Sequence, residues 1–182
     1  MNKKIVAPIF IFILLSVVRL TSWEGYAPML AITFFAGAIG MSWRGSVLVP
    51  LAALLMGDVL MALNMGDSYY QYFINGEYIG IYMMYLVSAY IGFLIKERVA
   101  LKNIVVGSVT AILLFFIVSN FMVWAAGLDM NSKPYTKDMT GLVLCYTNAL
   151  PFLLKSFIGN GIATIILFGS YAWVSKKYLV KA

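Results

Sequence analysis

The apolar positions of this chain fall in long unbroken blocks, separated by short polar stretches. Six blocks stand out, over residues 5–20, 27–42, 46–63, 79–95, 104–126 and 157–174. None shows the polar/apolar alternation of a barrel strand. A backbone passing through lipid must satisfy its own N–H and C=O groups, so helices are the spanning structure these blocks predict. Several fall a little short of the roughly 20 residues that cross a bilayer unaided. Flanking aromatics (Trp23, Trp43, Tyr78, Trp124, Trp173) extend them into the interface. The expected fold is an all-α integral membrane protein, one transmembrane bundle over residues 1–182, with six transmembrane helices.

The polar stretches set the orientation. With the N-terminus inside, the inner side holds nine basic residues (Lys3, Lys4, Arg44, Lys96, Arg98, Lys102, Lys176, Lys177, Lys181) and the outer side four (Arg19, Lys133, Lys137, Lys155). That is a positive-inside bias, with both termini cytoplasmic. The basic start and apolar run at the N-terminus resemble a signal peptide. No small-residue cleavage site follows, so the run reads as an uncleaved first helix. Inner connections are short and outer ones long. The outer stretch 127–156 is too long for a structureless loop in a compact bundle. Its second half, about 140–154, reads as a helix on the outer surface. Asp138 or Thr140 would cap it and Pro151 would end or kink it. Small residues four apart (Ala36/Gly40, Ala53/Gly57, Ser88/Gly92, Gly159/Ala163) permit close helix approach, within the bundle or against a partner.

Composition agrees. Of 182 residues, 63% are hydrophobic and 11% charged, against about 25% charged in soluble domains. Mean hydropathy is +0.92. The net charge of +6 is accounted for by basic residues at helix ends, so nucleic acid is not an expected partner. There is no histidine, which removes the commonest general base and metal ligand. No phosphate-binding loop, nucleophile–histidine pair or carboxylate pair appears. The chain does not read as an enzyme, and no cofactor or metal site is expected. The dispersed methionines read as core filling.

Candidate chemistry begins with Asp58, the only acidic residue inside a long apolar block. A carboxylate in a bilayer costs about 2.5–3.5 kcal/mol on insertion scales, and such residues face a wet cavity or a partner. In the six-helix topology Asp58 lies about 9 Å from the outer end of its helix. Arg19, Asn120 and Asn160 reach the outer third of three other helices, with Trp124 one turn above Asn120. Cys145, Tyr146 and Asn148 belong to the outer segment. Arg19 is the expected counter-charge of Asp58. These eight residues form the candidate substrate-binding set: Arg19 and Asp58 as polar anchors, Asn120, Asn148 and Asn160 as hydrogen-bonding groups, Trp124 as an apolar wall. The competing reading is an ion pair that only locks the bundle. Cys145 suits a packed thiol better than a metal ligand. The tyrosine-rich stretch 69–78 reads either as a lid or as interface anchors.

The segments around Pro50–Asp58, Ser119–Trp124, Gly141–Phe152 and Ile158–Gly161 resemble a largely uncharacterised family of small bacterial membrane proteins labelled as transport proteins. The layout is also similar to the substrate-binding S-components of energy-coupling factor (ECF) vitamin transporters. That resemblance implies a six-helix component of the bacterial cytoplasmic membrane that binds a vitamin-like molecule or metal complex near the outer face. Its partners would be membrane lipid, the solute and energising transporter subunits. The first block departs from the S-component docking pattern, with Ala7 followed by Pro8 in place of two alanines four apart. The rival expectation is a structural or assembly subunit of a larger membrane complex.

Overall fold

A computed structural model describes residues 3–20, 28–39, 42–66, 76–127 and 133–179, with side chains described over 9–18, 28–39, 42–66, 79–127 and 133–173. The described chain forms six helices: α1 (Lys3–Leu20), α2 (Met29–Ala38), α3 (Trp43–Met65), α4 (Gly76–Ile95), α5 (Leu101–Ala126) and α6 (Met139–Leu179). Each apolar block of the sequence supplies one of them. Three stretches, Trp43–Met65, Leu101–Ala126 and Met139–Trp173, are long and apolar enough to cross a membrane, compatible with a membrane protein.

Local chemistry sets several helix ends. Ser42 caps α3, its Oγ accepting from Gly45 N at 3.1 Å. Gly66 ends α3 with a φ of 77°, where a side chain would be strained. Asp138 caps α6, its carboxylate accepting from Gly141 N at 2.8 Å, as one of the two expected caps.

Helix α2 departs most from expectation. The block at 27–42 yields a helix of only 10 residues, every one buried. At 1.5 Å per residue this is about 15 Å, half the hydrocarbon thickness of a bilayer. Its N-cap position is Pro28, which offers no side-chain acceptor. The missing cap comes from another helix. Ala31 N, in the first turn, donates to Asn160 Oδ1 of α6 at 2.9 Å. An otherwise orphaned helix-end donor is thus satisfied inside the bundle.

α2 packs along α4 and α6 and runs parallel to both. Leu30 O accepts from Ser88 Oγ at 2.9 Å, and one turn further Phe34 O lies over Gly92. Ala31 sits beside Asn160, and Phe35 meets Phe168 edge-on at 5.1 Å. The approach to α4 is very close. A Cβ built on Gly37 would fall 1.9 Å from Ala89 O, and one on Gly92 1.9 Å from Phe34 O. The Ser88/Gly92 pair therefore packs within the chain.

The main core joins Ile11 and Leu15 of α1, Met29, Leu30 and Ile32 of α2, Ala53 and Leu54 of α3, Tyr82 and Tyr85 of α4 and Ile112 of α5. A second cluster centres on Phe34, Phe35 and Phe168.

The separate surface helix expected at 140–154 is corrected. Residues 139–179 form one helix of 41 residues that passes through Pro151. Proline withdraws the N–H that would bond Thr147 O and crowds that carbonyl, which bends a helix without ending it when neighbours hold both sides. Both sides are held to the antiparallel α5. Before Pro151, Cys145 Sγ donates to Asn120 O at 3.4 Å and Tyr146 Oη to Ile117 O at 2.6 Å. After it, Thr164 and Ser108 share a hydroxyl contact at 3.3 Å.

Candidate functional site

The spacing of these ties explains a cavity between α5 and α6. From Asn120 to Ser108 is twelve residues of α5, while from Cys145 to Thr164 is nineteen residues of α6. Those lengths correspond to about 18 Å and about 28 Å of helix. The longer path cannot follow the shorter one in contact, so α6 departs from α5 between the ties. A cavity of about 260 Å³ fills the gap. Its α5 wall is Ile112, Phe115, Phe116 and Ser119, between the ties, and Asn120 at one of them. Its α6 wall is Phe152, Leu153, Ser156 and Asn160, also between them and just past Pro151. Met29 and Leu30 from α2 and Tyr85 from α4 complete the lining.

The wall is mostly aromatic and aliphatic. Tyr85 stacks on Phe115, with centroids 5.6 Å apart and planes within 20°. Phe116 is braced edge-on by Tyr146 at 5.6 Å. Four polar side chains interrupt it, and most of their capacity is used internally. Ser119 Oγ donates to Phe115 O at 2.6 Å. Asn160 donates from Nδ2 to Ser156 O at 3.0 Å and to Ser156 Oγ at 3.1 Å, while its Oδ1 holds Ala31 N. Asn120 Nδ2 donates to Phe116 O at 2.7 Å. One N–H and the carbonyl of the Asn120 amide remain available, as does the hydroxyl proton of Ser156.

The eight residues singled out from sequence separate into different settings. Asn120 and Asn160 line the cavity, Asn160 chiefly as the clasp on α2. Cys145 and Tyr146 lie in the α5–α6 seam as ties. Tyr146 also borders a shallow depression with Leu142, Val143, Thr147 and Leu150. Trp124 is not among the residues that line this cavity. Its Nε1 donates to Thr136 O at 2.9 Å, Lys137 Nζ donates to its carbonyl, and the ammonium lies 5.6 Å above the ring. Trp124 thus fastens the segment leading into α6. Asn148 is half-buried and lines neither cavity nor depression. The side chain of Arg19 lies outside the described residues, as does the tyrosine-rich stretch 69–78, expected as a lid or as interface anchors, except for the backbone of its last three positions.

Asp58 is fully buried, as an acid in an apolar helix requires. Its carboxylate accepts a hydrogen bond from Tyr82 Oη of α4. Tyr82 lies one turn before Tyr85, so Asp58 supports the helix that supplies the cavity's tyrosine wall. Tyr82, Ser119 and Ser156 were not among the expected residues. Only Asp58 signals Tyr82, as a buried acid that needs a donor. Serines in apolar helices commonly bond their own backbone, so spacing does not mark the two at the cavity.

Among the described residues no group of three or more histidine, cysteine, aspartate or glutamate side chains could hold a metal ion. Outside the apolar spans, Asp138 has its pKa lowered. The Gly141 backbone N–H is the main cause, followed by the Thr136 hydroxyl. Comparison with curated proteins and with solved structures finds no match to this chain. The model of a family of unknown function, DUF6580, matches residues 1–181, and the chain belongs to that family.

Proposed function

We propose that this chain is the membrane-embedded, solute-binding component of a transport system, similar in layout to an ECF S-component. The observation that carries the reading is the cavity between α5 and α6. It has apolar and aromatic walls with a few convergent polar groups, the usual make-up of a small-molecule site. In this reading six spans cross the bacterial inner membrane with both termini cytoplasmic. The parallel course of α2, α4 and α6 supports it, because alternate helices of an up-down bundle run the same way. The basic residues, nine against four, support the orientation. The sequence has no nucleotide-binding loop and no histidine, so the chain acts as a binder and active uptake draws on partner subunits.

The second reading, a structural subunit of a larger complex, draws on one observation. Asn160, Cys145 and Tyr146 hold helices together, as a lock would. Purification from native membranes, followed by mass spectrometry of retained small molecules and proteins, separates the two. The binding reading expects a solute retained by wild type and lost from Asn120→Leu, with or without an ATPase module. A stable complex whose cavity carries no solute would replace it with the structural reading.

A further inference from the structure

We infer that the cavity takes an uncharged, flat ring compound bearing one amide- or hydroxyl-type group. This inference rests on the binding reading and names its ligand class. Three features of the wall lead to it. The first is charge. No acidic or basic side chain lines the cavity among the described residues. Lys155 is the charge the contacts place nearby, with its ammonium 5.8 Å from the centroid of the Phe152 ring. It lies outside the lining, so a charged ligand would give up hydration against a wall that offers no charged group of its own.

The second is shape. Tyr85 and Phe115 form a stacked pair in the wall, and Phe116 is held edge-on by Tyr146. Rings fixed in this way favour a partner that stacks or packs by its edge. At about 260 Å³ the space is below the roughly 300–1,000 Å³ of sites for drug-sized ligands. A corrinoid or other large metal complex does not fit, and Cys145 lies outside the lining.

The third is the hydrogen-bonding remainder. Asn160 and Ser119 commit their donors to the protein. What is left is half of the Asn120 amide on α5 and the Ser156 hydroxyl proton on α6. These can donate to and accept from a single polar group on the ring's edge.

The test uses the full chain purified in detergent and four probes of similar size: benzamide, benzoate, benzylammonium and toluene. Dissociation constants are read at neutral pH by calorimetry, on wild type and on Asn120→Leu. Benzamide should bind at least about tenfold more tightly than either ion, because only the ions forfeit uncompensated hydration. Asn120→Leu should weaken benzamide about tenfold and leave toluene unchanged, reflecting one lost amide contact. If benzoate or benzylammonium binds as tightly as benzamide, the ligand class is overturned while the cavity remains a binding site. The same holds if the solute retained from membranes is an ion or a lipid, or is displaced by none of the probes. If no probe binds and no solute is retained, both the class and the binding reading fall.

Discussion

Asn160 shows how one side chain can carry more of the architecture than its position suggests. A polar residue in an apolar helix points equally to a ligand contact and to an internal clasp. Here the amide commits both Nδ2 hydrogens and its acceptor to protein groups, including the buried Ala31 N–H. Replacement by leucine leaves that N–H orphaned, which costs about 1–3 kcal/mol. Asn160→Leu should therefore lower the midpoint of thermal unfolding clearly. Asn148→Ala, at a half-buried position outside the α5–α6 cavity, should change stability by less than about 0.5 kcal/mol. Asp138 is a second residue with a definite test. Its folded-state pKa is lowered, so its contribution is fully present above the ordinary carboxylate range and is lost as pH falls through the lowered value. The gap in unfolding midpoint between wild type and Asp138→Ala should be widest near neutral pH and narrow on acidification. A gap that widens in acid would contradict the cap assignment. Sequence singled out Asp58 and Asn160 because polar groups in apolar blocks are conspicuous. It could not distinguish Tyr82 from the other tyrosines, because a partner across two helices leaves no local trace.

Helices were the most legible level, since each apolar block supplies one. Their limits were less so. The 27–42 block is mostly apolar, yet among its described residues Met29–Ala38 forms the helix, and it owes its N-terminal cap to α6. The continuity of α6 through Pro151 was equally hidden. A proline ends a helix in isolation, whereas here the ties at Cys145, Tyr146 and Thr164 keep α6 on α5 on both sides of it. The small-residue pairs were readable as close-approach points, and Ser88/Gly92 is one. Gly37→Ala and Gly92→Ala each drive a methyl to 1.9 Å from a backbone oxygen of the facing helix. The backbones must separate, at a cost of about 1–3 kcal/mol or more. Gly161→Ala and Gly169→Ala meet nothing within 4 Å and should be tolerated. Parallel thermal-shift measurements on the four variants check this. Equal effects at all four positions would mean that α2 and α4 are not in such close contact.

At the scale of the molecule, α5 and α6 are tied at unequal spacings and α6 takes the longer path past Pro151. The cavity is the space between the ties, and α2 and α4 complete its lining. Sequence brought eight residues to one notional pocket by depth alone. Depth omits the angular position around each helix, so seam residues such as Cys145 and Tyr146 were grouped with true lining residues such as Asn120. Whether the α5–α6 cavity holds a solute is decided by titrating the solute recovered from native membranes into wild type and into Ser119→Phe, whose larger side chain fills the cavity from α5. Wild type should show saturable binding at one site per chain. Binding should be lost in Ser119→Phe, with the unfolding midpoint confirming that the variant is folded. Equal affinity in a folded Ser119→Phe protein would contradict binding in this cavity and place the solute elsewhere.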